Sequence, residues 1–192
     1  MTNEELLALA DAHFSPASRN ERKVDDKLLA RKVAAMAKAG YKFNAATIEA
    51  TRAYLQGYGV LLSGRVGVGK TLFFRMINRD ALIADIGTIM GWRQAEIEDY
   101  IVSNRDCELV IDDIGCGGSK ARDYGREFDA LLMILNLRDP ARCRFRTHFT
   151  TNLTNDELVA NFDARVVDRI YGLAKCFRIE TEESRREAVA FL

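Results

Sequence analysis

The residues best equipped for chemistry are Gly64, Arg65, Val66, Gly67, Val68, Gly69, Lys70 and Thr71, followed by Leu72. They fit G-x-x-x-x-G-K-[ST] at every fixed position. Gly64, Gly67 and Gly69 let the backbone curl until its N–H groups point inward around a chain of phosphates. Lys70 is spaced to reach the β- and γ-phosphates, and the Thr71 hydroxyl to take one position on Mg2+. Before the loop, Val60-Leu61-Leu62 predicts a buried parallel strand. After it, Leu72, Phe73, Met76 and Ile77 fall at helical spacing, so a helix dipole points at the same place. A chance glycine-rich turn would require neither flank. The stretch predicts a site for a nucleoside triphosphate, ATP with Mg2+.

Two further runs carry polar residues at a strand tip. Leu109-Val110-Ile111-Asp112-Asp113 is an apolar run ending in paired acids, and ligands of open α/β sheets sit at the C-terminal strand edge. Asp112 is expected to hold Mg2+, directly or through water, and Asp113 to polarise the attacking water. Without the glycine loop upstream, the same run reads as a core strand entering a turn. Thr147-His148-Phe149-Thr150-Thr151-Asn152 predicts another central strand. Asn152 then stands beside the acids, where its amide can hold the water or a γ-phosphate oxygen; the alternative is a plain turn residue before Thr154. Arg165 and Arg169, four apart, share one helix face with Asp168 beside them, which on spacing alone is a solvated face with an ion pair.

The elements that must position these residues follow from periodicity and caps. Residues 3–14 and 24–39 read as amphipathic helices, the second with Leu28, Leu29, Val33 and Met36 inward and Gly40 past its end. A third helix starts after Asn44 and runs toward Gly57. Residues 87–92 read as a short strand and 94–102 as a helix. Residues 115–125 read as a flexible loop with Lys120 and Arg122, followed by a helix that Pro140 stops. The alternation of Arg142, Arg144 and Arg146 leads into the Asn152 strand. Helices at 156–162 and 165–171, a strand at 176–180 and a closing helix at 182–191 complete the chain. Strands and helices alternate from about residue 58, so a parallel sheet flanked by helices follows. Residues 1–40 are read as an N-terminal helical segment and 41–192 as the nucleotide domain.

Composition narrows the partners. Lys plus Arg and Asp plus Glu are 28 each, so any DNA contact must come from a local stripe. No apolar run approaches a membrane span, and the acidic start lacks the basic opening of a signal peptide. Cys107, Cys116, Cys143 and Cys176 are scattered, without C-x-x-C spacing, which points to idle thiols in a cytoplasmic protein rather than to zinc or disulfides.

The ordered set GRVGVGKT, VIDDIG, HFTTNL, ARVVDRI and ESRR resembles the DnaC/IstB-like branch of the AAA+ ATPases over roughly residues 41–188. The T-T-N strand followed by R-x-x-x-R and S-R-R is more selective than the glycine loop, which many families share. The resemblance implies an α/β P-loop NTPase of the AAA+/ASCE class, with five parallel strands flanked by helices. It implies that Asn152 is the sensor-1 residue, and that Arg165 and Arg169 supply an arginine finger to a neighbour's ATP. It also implies that Arg186, or failing that Arg185, is sensor 2. The implied function is that of a slow, switch-like ATPase assisting DNA replication in the manner of a helicase loader. It would form ATP-dependent homo-oligomers on single-stranded DNA or a replicative helicase. A transposition helper with a transposase partner stays open within the family, since the front segment is shorter than a typical helicase-binding domain. A small P-loop kinase and a nucleotide-gated scaffold are the readings from other classes. A kinase gives no reason for T-T-N followed by paired arginines.

Overall fold

Strand β1, Gly59–Gly64, is buried along its whole length, and its side chains divide between two cores. Leu61 joins one core while Val60 and Leu62 join the other, as the two-residue period of a strand requires. Strand β3, Leu109–Ile114, repeats the division, with Leu109 and Ile111 on one side and Val110 on the other. Both faces of the sheet are therefore covered, which is why these strands read as continuous apolar runs. The computed structural model describes residues 24–115, 118–139 and 146–180. The helices expected at 3–14 and 182–191, Pro140, Cys116, Cys143, the arginine alternation at 142–144 and Arg186 lie outside those residues.

The five-stranded sheet is parallel throughout, with β2 (Leu82–Asp85) on one edge, then β3, β6 (Thr147–Thr151), β1 and β7 (Ala174–Ile179). The α/β fold expected from the sequence is present, with β6 in the middle and β1 beside it. On one face lie α1 (Asp26–Lys38), α2 (Ala45–Gln56) and α3 (Lys70–Ile77), through Met36, Tyr54, Phe73 and Phe74. On the other lie α4 (Ile86–Ile89), α5 (Gln94–Ser103), α6 (Ala130–Leu137), α7 (Asn155–Asn161) and α8 (Ala164–Leu173). The caps are local and legible: Asn44 and Thr47 form a capping box, and Gly57 ends α2 in the left-handed conformation. Thr154 caps α7 in the same manner with Glu157. Gly59 is needed for a different reason, because a Cβ there would lie 2.2 Å from the Leu173 carbonyl oxygen and 2.4 Å from that of Thr147. Among the described residues no helix is long and apolar enough to cross a membrane.

Three sequence readings need correction. The strand is Leu82–Asp85 and not 87–92, because the Asp85 carboxylate accepts from Thr88 N–H at 2.7 Å and starts a helix where alternation predicts extended chain. The loop expected over 115–125 is in its second half a hairpin, β4 (Lys120–Asp123) with β5 (Arg126–Asp129). Its turn residues Tyr124 and Gly125 both take positive φ, 47° and 81°, which matches the twist of a two-residue hairpin. Leu28 is exposed, since the residues that α1 buries are Leu29 and Met36.

The N-terminal edge of the sheet holds a buried polar cluster. Glu108, just before β3, accepts from Tyr54 Oη at 2.5 Å and Asn78 Nδ2 at 2.7 Å and pairs with Arg146. Arg146 also donates to the Tyr54 carbonyl, with its guanidinium 4.2 Å from that ring's centroid. His148 Nδ1 accepts from Val60 N–H at 3.1 Å, so the proton of the neutral ring sits on Nε2. Next to it Arg138, 1 % exposed, donates to Thr147 Oγ1 and to the carbonyls of Cys107 and Arg146 at 2.9–3.1 Å.

Candidate functional site

The loop between β1 and α3 takes the form its glycines require. Gly67 and Gly69 sit at φ 87° and 91°, a region closed to most side chains, and Gly69 is the N-cap of α3. Val68 packs inward, while Arg65 and Val66 are exposed at the loop tip. Lys70 leaves the first turn of α3 and bends back, donating to the Gly64 carbonyl at 2.8 Å and the Arg65 carbonyl at 3.1 Å. Only 7 % of it is exposed. The lysine whose spacing predicts a reach to phosphates here closes its own loop.

Beyond that loop the strand tips meet it. Thr71 Oγ1 stands 2.9 and 3.0 Å from the two Asp112 carboxylate oxygens, donating its single hydrogen. Lys70 Nζ donates to Asn152 Oδ1 at 2.7 Å, and Asn152 Nδ2 donates to Asp113 Oδ1 at 2.6 Å. The amide of Asn152 thus bridges the loop lysine and the second acid. All five residues line one cavity of about 300 Å3, walled by Val66, Gly67, Gly69 and Leu72 of the loop and helix. Burial depresses the Lys70 ammonium pKa against the pull of Asp113 and Asp112. Burial also raises Asp113, opposed by Lys70 and reinforced by Asp112 and Asp85.

Two lining residues escaped the sequence reading. Asp85 ends β2 directly beside Asp112 in the ladder, and its apolar run Leu82-Ile83-Ala84 is the same signal that identified β3. Thr150 sits on β6 with its hydroxyl between the two acids. Nothing local distinguishes it from Thr147 or Thr151.

Mg2+ takes oxygen ligands and usually arrives on substrate phosphates, needing one or two protein groups. Thr71 and Asp112 present hard oxygens within one hydrogen bond of each other, so the residues fit that ion. Arg165 and Arg169 are not among the cavity-lining residues. Both lie on the outer face of α8, Arg165 with Asp163 at 3.3 Å and Arg169 with Asp139 at 2.6 Å. Arg186 lies outside the described residues.

No family model matches the chain, and no curated protein matches it in sequence. Solved structures do. A DnaI crystal structure superposes with TM-score 0.58 at 22% identity, over 79% of this chain and 94% of that one. AMPPCP-bound DnaA from Aquifex aeolicus gives 0.56 at 14% identity, over 76% of this chain and 50% of that one. DnaA bound to AMPPCP and single-stranded DNA gives 0.53 at 14%, over 76% and 49%. The chain therefore spans about half the length of the DnaA structures it matches. With the parallel sheet and its order, these likenesses identify the fold: the chain has the fold of the AAA+ P-loop domains.

Proposed function

We propose that this chain is an ATPase of the helicase-loader type that assists DNA replication, binding ATP with Mg2+ and assembling with copies of itself. The observation that carries the reading is the continuous set of contacts Thr71–Asp112 and Lys70–Asn152–Asp113 inside one cavity. Each group then has a task. The loop N–H groups and Lys70 bind the phosphates, with Lys70 exchanging its carbonyl partners for phosphate oxygens. Thr71 and Asp112 would hold Mg2+, which supplies positive charge against the phosphate oxygens. Asp113 accepts a proton from the attacking water, and Asn152 holds that carboxylate in place. Arg169, with Arg165 beside it, would complete the site of a neighbouring subunit, since both lie on the outside of their own.

The β4–β5 hairpin is the proposed nucleic-acid surface; its Lys120, Arg122 and Arg126 are matched in number by Asp123, Glu127 and Asp129, so it offers individual cations and not a net positive stripe. Tyr124 at its tip is 89 % exposed, with Lys120, Arg122 and Arg126 exposed along its strands. The tip is fastened to the start of α5, where Gln94 N–H donates to Asp123 and Arg93 donates to the Tyr124 hydroxyl. An exposed ring among cations is a stacking platform for single-stranded nucleic acid. The likeness to DnaI, and to DnaA bound to AMPPCP and single-stranded DNA, supports the replication reading. An ATPase assay with and without single-stranded DNA tests it. Mg2+-dependent turnover that DNA changes is the expected result; turnover of a small-molecule acceptor, or none at all, counts against it.

A further inference from the structure

In a regular strand, adjacent side chains point to opposite faces of the sheet. Asp112 and Asp113 are adjacent, yet both line the same cavity. The reason lies in the ladder between β3 and β6. Ile111 pairs with Phe149 and Ile114 with Thr151, so two acids stand opposite Thr150 alone. This is a bulge, and within it Asp113 takes φ 61°. A bulge leaves a backbone group without its ladder partner, and a buried N–H needs another. The Asp113 N–H donates to Thr150 Oγ1 at 2.8 Å. The same hydroxyl donates its hydrogen to Asp112 Oδ1 at 2.6 Å. Thr150 is 1 % exposed. One buried hydroxyl therefore accepts from the backbone of one acid and donates to the carboxylate of the other.

We infer that Thr150 is a positioning residue for ATP hydrolysis, holding the bulge that turns Asp113 into the cavity while orienting Asp112 toward the metal. The inference rests on the roles given above to Asp112 and Asp113. A valine has the shape of threonine without the hydroxyl; a serine keeps the hydroxyl and loses a methyl. Thr150→Val should lower kcat on the order of 10²-fold, as loss of a well-placed general base does. Affinity for a non-hydrolysable ATP analogue should stay near that of the unsubstituted chain, because the glycine loop is untouched. Mn2+ affinity of the analogue-bound protein, read by electron paramagnetic resonance, should weaken with valine. Thr150→Ser should restore both turnover and Mn2+ affinity. If the valine chain does not fold, Thr150→Cys makes the same comparison with a group that donates and accepts only weakly. A folded Val or Cys variant with undiminished turnover and Mn2+ affinity, beside an inactive Asp113→Asn, overturns the role of Thr150 and leaves that of the acids standing. An Asp113→Asn chain as active as the unsubstituted one removes both.

Discussion

At its N-terminal edge the sheet buries His148 and Arg138 and half-buries Glu108 and Arg146; at its C-terminal edge it buries Lys70 and half-buries Asp112 and Asp113. Both edges hold charge away from water, where an unpaired ion costs several kcal/mol. The partners differ. Glu108 is held by Tyr54, Asn78 and Arg146, groups from three separate parts of the chain, and none of the four lines the cavity at the other edge. Lys70 is held by two carbonyls of its own loop and one amide, beside open space. The first arrangement ties elements together and has nothing to exchange. The second keeps a cation satisfied in a way that a phosphate can replace. Buried charge alone does not mark a functional site; buried charge with replaceable partners facing a cavity does.

The comparison breaks most visibly at Arg169. If it serves a neighbour's ATP, Arg169→Ala should lower turnover on the order of 10³-fold, although the Asp139 pair it loses is a partly exposed one. Mixing Arg169→Ala with Lys70→Ala subunits should recover part of the ATPase that neither shows alone. Co-assembly without recovered turnover would rule out a shared site.

Asp113→Asn sharpens the C-terminal half. Turnover should fall on the order of 10³-fold, while thermal stability and binding of a non-hydrolysable ATP analogue change little. The opposite pattern belongs to the other edge. Glu108→Ala leaves Arg146 without its carboxylate and should cost about 3 kcal/mol of stability, read by urea denaturation. Any folded fraction should still bind nucleotide. A Glu108→Ala chain of undiminished stability would show that its cluster is not what ties the edge together.

Acid should weaken the same edge. Burial would raise Glu108, but Tyr54, Asn78 and Arg146 bring it below its ordinary value. Burial pushes His148 from 6.5 down to about 3. Both groups bind protons more readily in the unfolded chain, so their contributions are complete above the unfolded values and are lost as pH falls. For His148 the loss should run from about 6.5 toward 3. Denaturation midpoints measured across that range should decline, and His148→Gln should flatten the part of the slope above 4.5, the ordinary Glu value.

The smallest effect on stability belongs to the hairpin. Lys120 and Glu127 form an exposed pair at 3.1 Å, so Lys120→Ala should change stability by less than about 1 kcal/mol. Affinity for single-stranded DNA should fall, with the salt slope reduced by about 0.7 if one phosphate contact is lost. An unchanged slope in both Lys120→Ala and Arg122→Ala would move the DNA surface elsewhere.

Much of this protein was legible in local sequence because local forces act there. Asn44, Gly57 and Thr154 cap their helices through contacts four residues or fewer away. Gly67 and Gly69 require their own backbone conformation, and β1 and β3 are apolar because both faces are covered. The P-loop, the acids and Asn152 could therefore be named and gathered at one sheet edge before any coordinates. Other features depend on residues far apart in the chain. Thr150 is one threonine among several until Asp112 and Asp113 bulge opposite it. Asp85 gains its place only when β2 lies beside β3, and the side-chain partner of Lys70, Asn152, comes from 82 residues away. Asp139 meets Arg169 across 30 residues. Periodicity records which face a residue turns toward the core; which partner stands opposite depends on ladder register, and a single bulge shifts it.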